Sequence, residues 1–261
     1  MIKFSIITVC YNAEQYIKRT IQSVLEQDMN DYEYIIKDGK SADSTMEIVH
    51  AMLSENDHIH LISETDNGIY DAMNAAIDQA KGEYLFFLNA GDCFANASVL
   101  NQVKMFLERT EADVAYGNII QIHGDEKKAI RTYGKTCSRK MYFLSGDCIC
   151  HQAMFAKREL FFDKKFDTQY KVCADKEWQL FHICNKISFV PMGFEIASVP
   201  VEGFSTNHLS DFERESMQCI EKYCKNMAWI YRCIDWMKHN KFCVKVLRAV
   251  GNFLFVRSEH E

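Results

Sequence analysis

A chain of 261 residues, 48% of them hydrophobic, is long enough for one large domain, or a domain with a small appendage, around a real core. Its formal net charge of −6 excludes a nucleic-acid binder that works by broad phosphate neutralisation. The eleven cysteines are irregularly spaced with no C-x-x-C, and Cys148 and Cys150 are the only close pair. They read as reduced, small hydrophobes of a cytosolic protein, neither a disulfide framework nor a zinc site.

Met1 to Phe4 leads directly into a strand, so no signal peptide is expected, and no apolar run approaches the roughly 20 residues of a membrane span. Phe4 to Cys10 is a first buried strand, followed by Tyr11-Asn12 and a helix with Ile17, Ile21, Val24 and Leu25 on one stripe. Tyr32 to Lys37 is a second strand ending at Asp38-Gly39. Ser41, Asp43 and Ser44 offer N-caps for a second helix carrying Met46, Val49, Met52 and Leu53. Ile59 to Ser63 is a third strand, and Ile69, Met73, Ile77 and Ala80 mark a third helix. Tyr84 to Leu88 is a fourth strand, buried on both faces, that stops at Asn89-Ala90-Gly91-Asp92. This alternation predicts an α/β fold, a mostly parallel sheet flanked by helices.

Beyond Asp92 the pattern loosens. A helix over 99–107 and a strand over 113–122 precede a polar, basic stretch at 123–140, read as a hairpin or mobile loop. A strand over 152–156 and a helix over 174–184 follow, the latter with Trp178 and Phe181 inward. Two short strands, near 187–190 and 194–199, are fenced by the only prolines, Pro191 and Pro200. From Leu209 the chain reads as helical, and beyond Met227 it is basic and amphipathic. Such a tail lies either in a membrane interface or against its own domain.

No glycine occurs before Gly39, so neither G-x-G-x-x-G nor a P-loop follows the first strand. A nicotinamide dehydrogenase and a P-loop kinase are thereby disfavoured. Side chains must replace the glycine cradle if the sheet binds a nucleotide. Asp38, Asp66 and Asp92 end or follow the second, third and fourth strands, and Thr8, Tyr11 and Asn12 lie at the end of the first. Ligands of open α/β sheets bind beyond these carboxyl ends. Each Asp alone is equally a turn former or cap; polar groups at four strand ends point to one crevice.

Four segments then appear in order: Thr8-Val-Cys-Tyr-Asn12, Ile35 to Thr45 with Lys-Asp-Gly-Lys-Ser-Ala-Asp, Gly68-Ile-Tyr-Asp-Ala-Met-Asn-Ala-Ala76, and Gly82 to Asp92. Together they resemble glycosyltransferase family 2, inverting enzymes of GT-A fold, in the form of the branch that builds colanic-acid-type exopolysaccharide. The resemblance spans 4–92 most strongly, continues to about 208, and is absent from the tail. It implies that Thr8, Tyr11 and Asn12 frame a nucleoside and that Asp38 binds the uracil edge. Asp66 and Asn74 would line the nucleotide pocket, Asp92 would ligate Mg²⁺ or Mn²⁺ on the diphosphate, and Asp175 would be the catalytic base. His208, in a loop like the one covering the donor in related enzymes, reads as a contact to metal or diphosphate, or as a histidine facing water. Asn89 and Gly91 stand where the family usually has acids, and Met73 where many members have Arg.

The expected organisation is a GT-A domain over 1–208, with a nucleotide-sugar-binding half (1–92) and an acceptor half (93–208), and a helical extension over 209–261. The expected activity is inverting transfer from a nucleotide-sugar, UDP-linked by preference, to a saccharide or lipid-linked saccharide. The expected place is the cytoplasm, at the inner face of the membrane through the tail, with no nucleic-acid partner. A sugar nucleotidyltransferase would need a glycine- and basic-rich loop where Cys10-Tyr11-Asn12 stands. A silent nucleotide- or glycan-binding module is the other alternative.

Overall fold

The computed structural model describes residues 2–53, 59–124, 126–130, 148–201 and 208–225. The tail from Met227 onward lies outside them. One mixed sheet runs through the described residues. Its first half is β1 (Phe4–Cys10), β2 (Tyr32–Asp38), β3 (Ile59–Ser63) and β4 (Tyr84–Phe87), all parallel, joined by α1 (Ile17–Leu25), α2 (Thr45–Leu53) and α3 (Ile69–Ile77). β1 and β2 are buried at every position, as continuous apolar runs in a parallel sheet require. Alternation along β1 sends Phe4 and Ile6 to one face and Ile7 and Val9 to the other. The first face packs on Ile17, Ile21 and Val24 of α1, the second on Tyr70, Met73 and Ile77 of α3.

The second half mixes directions. β5 (Cys93–Phe94), α4 (Val99–Thr110), β6 (Val114–His123), β7 (Glu126–Ile130), β8 (Met154–Lys157), α5 (Glu159–Asp163), α6 (Ala174–Cys184), β9 (Phe189–Pro200) and α7 (Leu209–Tyr223) complete the order. The strands lie β3-β2-β1-β4-β8-β6-β9-β5, with β7 hairpinned on β6. β8 is antiparallel to both β4 and β6. Phe86 of β4 stacks on Phe155 of β8 at 4.2 Å and on Phe94 of β5 at 5.1 Å, locking the two halves.

Two sequence expectations are corrected. The two strands drawn around Pro191 are one strand, β9. Pro191 pairs with Tyr116 on one side, while β5 reaches only Ala197 and Ser198 on the other. Position 191 is thus effectively on an edge, where a missing N–H is tolerated. The strand expected from Gln152 begins instead with a 3₁₀ turn, His151–Ala153, before β8. Beyond the expected boundary at 208/209, Glu215, Ser216, Cys219 and Ile220 of α7 are buried. The Glu215 carboxylate accepts the backbone N–H groups of Lys171, Val172 and Cys173 at 2.9–3.1 Å, just before α6. Glu177 of α6 is fully buried and bonds Lys222 (2.7 Å) and Tyr223 of α7.

Candidate active site

The loops after β1 and β2 are stitched together at the carboxyl edge of the sheet. Asn12, with φ of 49°, donates its N–H to Ser41 Oγ (2.8 Å) and accepts the Ala42 N–H on its side chain (2.9 Å). Asp38 closes the same corner from beneath. Its carboxylate is fully buried and accepts the N–H groups of Lys40 and Ser41 and the hydroxyls of Ser41 and Ser63. Lys37, also buried, donates to the Asp38 carbonyl (2.9 Å), the Glu64 carbonyl (2.6 Å) and Asp66 Oδ2 (3.0 Å), which uses all three of its protons. Asp66 Oδ1 accepts the Gly68 N–H at 3.1 Å. Above them Tyr11 is 66% exposed. A methyl group on Gly39 would come within 2.9 Å of Asp66 Oδ2 and 3.3 Å of the Tyr11 ring. Tyr11, Gly39 and Asp66 therefore meet around one small recess, and glycine keeps its floor low.

The turn after β4 lies beside this corner, since β4 is the other neighbour of β1. Gly91, at φ of 108°, allows the reversal that brings the Asp92 N–H onto the Asn89 carbonyl (2.9 Å). Thr20 and Arg19 of α1 hold the turn, Thr20 accepting the Gly91 N–H and Arg19 donating to its carbonyl. Asp92 is 6% exposed. Burial pushes its carboxyl up to about 6, against the opposing pull of a hydrogen bond from Gln152 Nε2 at 3.1 Å. The Asn89 side-chain oxygen is buried without a hydrogen-bond partner.

Asp175 is the second carboxylate. It sits in the first turn of α6, where the helix dipole favours an anion. The N-cap residue Cys173 has no capping side chain, and Glu215 of α7 holds the turn just before the helix. Asp175 Oδ1 accepts the Lys176 N–H (2.8 Å) and faces the Tyr70 hydroxyl (3.1 Å), whose proton is shared with the Val172 carbonyl. Oδ2 lies 3.1 Å from His151 Nδ1, and His151 Nε2 lies 3.1 Å from Asn89 Nδ2. His151 and Gln152 are consecutive, so one short turn ties Asp175 to Asn89 and, through Gln152, to Asp92.

The structure treats the other expected residues differently. Thr8 is buried inside the sheet, donating to the Leu88 carbonyl (2.6 Å) and pairing with the Tyr34 hydroxyl (2.9 Å), so it does not reach the crevice. Asn74 spends its amide on the backbone N–H and carbonyl of Phe166, pinning that loop to α3. His208 is half-buried and precedes α7 as its N-cap residue, without a capping side chain. Among the described residues no three His, Cys, Asp or Glu side chains converge as a metal cage. What the Asn89–Asp92 turn offers is a carboxylate and an unpartnered amide oxygen. Hard oxygen donors of this kind suit Mg²⁺ or Mn²⁺ that draws its remaining ligands from phosphate and water. Lys37, Tyr70 and Gln152 were missed in the sequence. Lys37 alone left a signal, a charge closing an apolar strand.

A parallel half-sheet joined to a mixed half, with carboxylates gathered at the carboxyl edge, is the GT-A architecture. The family model for "Glycosyl transferase family 2" matches residues 5–161. The chain belongs to that family and is a glycosyltransferase. A PGL/p-HBAD biosynthesis glycosyltransferase of Mycobacterium tuberculosis is 33% identical over 182 residues, 68% of each chain. The poly(ribitol-phosphate) beta-N-acetylglucosaminyltransferase TarS of Staphylococcus aureus is 26% identical over 177 residues, which are 63% of this chain and 30% of TarS. The crystal structure of TarS 1-349 with UDP superposes with a TM-score of 0.67 at 21% identity, covering 85% of this chain and 65% of that one. The mannosyltransferase PcManGT of Pyrobaculum calidifontis, with GDP-Man and Mn²⁺, gives 0.62 at 16% identity, over 97% and 80%.

Proposed function

We propose that this glycosyltransferase inverts the anomeric centre as it moves a sugar from a UDP-sugar to a hydroxyl of a glycan or lipid-linked saccharide. The observation that carries the reading is the His151-Gln152 turn, which bonds Asp175 with one residue and Asp92 with the next. Inversion in one displacement needs a base near the acceptor and charge neutralisation near the leaving group, held in fixed relation. A turn joining two carboxylates supplies that relation.

In this reading Tyr11 packs on the nucleoside, while Asn12 and Asp66 shape its recess. Asp175 takes the acceptor proton as general base. Asp92, with Asn89, would hold the divalent cation, which when bound neutralises charge on the departing nucleoside diphosphate. UDP is favoured by the TarS likeness, where UDP and UDP-GlcNAc are bound. GDP bound to PcManGT in the same fold makes the nucleotide the first thing to test. Among the described residues no helix is long and apolar enough to cross a membrane. A cytoplasmic enzyme meeting its acceptor at the membrane face through the tail completes the proposal.

The test is a panel of nucleotides and sugar nucleotides, with and without Mn²⁺, read by thermal shift and by release of free UDP. A ligand at 100 times its Kd stabilises by about 2.7 kcal/mol, a readable shift. UDP-sugars should stabilise the protein in a cation-dependent way and be slowly hydrolysed. Binding without release of nucleotide would leave a silent binding module.

A further inference from the structure

We propose that His151 is a positioning residue: its Nδ1–H holds Asp175 in the orientation that takes the acceptor proton, and its ring is set by Asn89. The proposal rests on Asp175 being the base.

The hydrogen-bond chemistry assigns the ring. An ionised carboxylate only accepts, so Nδ1, 3.1 Å from Asp175 Oδ2, carries the proton. Nε2 then presents its lone pair to Asn89 Nδ2, also at 3.1 Å. The amide that results has its oxygen turned away, which accounts for the unpartnered, buried Asn89 Oδ1. The ring is anchored by its backbone as well. Gln179, one helical turn beyond Asp175, clamps Ile149 through both its N–H (3.1 Å) and its carbonyl (2.8 Å). The Ala153 N–H closes the 3₁₀ turn on the Cys150 carbonyl (3.0 Å). Asp175 and Gln179, at i and i+4, thus grip the segment 149–151 from one face of α6. Side chain and backbone are both fixed relative to the helix that carries the carboxylate. An acid in place of Asn89 would set a charge against the lone pair of Nε2, whereas the amide donates to it.

Two substitutions separate the ring's two bonds. The amide nitrogen of Asn falls near the position of Nδ1, and that of Gln near Nε2. His151→Asn therefore keeps the bond to Asp175, and His151→Gln keeps only the reach towards Asn89. UDP affinity and the kcat and KM for UDP release from a UDP-sugar are measured for both, alone and with Asp175→Asn. His151→Gln should lower kcat roughly tenfold or more, His151→Asn by less than about threefold, with KM and UDP affinity unchanged in both. With Asp175→Asn already present, His151→Gln should cost nothing further. The reverse order of the two variants, equal loss of UDP affinity in both, or an undiminished His151→Gln effect beside Asp175→Asn, would overturn the proposal. A full rate in Asp175→Asn alone removes the base and this proposal with it. A full rate in His151→Gln beside a slow Asp175→Asn removes only the role of His151.

Discussion

Asp38 and Asp92 close the strands on either side of β1, yet their environments set them opposite tasks. Asp38 has both oxygens occupied by four donors from its own and the neighbouring loop. Asp38→Ala strands two backbone N–H groups and two hydroxyls. It should cost at least about 2 kcal/mol in urea denaturation, and an unchanged midpoint would mean that water replaces the carboxylate freely. Asp92 is the contrary case, an acid whose folded-state carboxyl is raised from 3.8 to about 6 by burial. The folded chain then binds a proton more tightly than the unfolded one. Stability is lost as pH rises from about 4 to about 6 and stays low above. Asp92→Asn should therefore stabilise the ligand-free protein at pH 8 by as much as about 3 kcal/mol, and leave it unchanged near pH 3. Melting curves of both proteins at the two pH values check the sign.

Helices α6 and α7 form one unit at the scale of elements. α6 buries Asp175, Lys176, Glu177, Gln179 and His182 as well as Trp178, and α7 supplies partners for several of them. Glu215 takes three N–H groups, Lys222 and Tyr223 take Glu177, and Ser216 takes Lys176 Nζ at 2.6 Å. A chain ending at Asn207 should be insoluble or unfolded, whereas one ending at Lys225 should melt cooperatively near the full-length temperature. Circular dichroism of the two truncations decides it. Glu177, two residues beyond Asp175, is enclosed by this same packing. The elements legible in the sequence were those whose burial pattern is regular: β1 and β2 as short β-forming runs buried throughout, α1 and α3 as stripes. α6 was found at its ends, but its polar interior was not, since Asp175, Lys176, Glu177 and Gln179 are matched by residues about 25 to 105 positions away. β9 was split because its two prolines look like strand breaks when the neighbouring strands are unknown. The candidate carboxylates Asp66, Asp92 and Asp175 were legible from strand ends and family motifs. That Thr8 and Asn74 are spent on internal bonds was not, because their partners Leu88 and Phe166 are 80 and 92 residues distant.

At the scale of the whole molecule, both halves of the sheet contribute to its carboxyl edge. The parallel half brings Tyr11, Asp66 and Asp92 there, and the 151–153 turn of the mixed half ties Asp175 to Asn89 and Asp92. Excess EDTA should abolish UDP-sugar turnover, and Mn²⁺ should restore it in the native protein but not in Asp92→Ala. The central claim is that Asp175 does chemistry while the donor is held elsewhere. Asp175→Asn preserves size and the bonds that Oδ1 accepts from Lys176 and Tyr70, and removes basicity. The decisive measurement is the pair of donor affinity and single-turnover UDP release for this variant beside the native enzyme. The account predicts unchanged affinity for the UDP-sugar and release slowed by roughly 10²-fold or more. Release at the native rate, or loss of donor binding in its place, would contradict it.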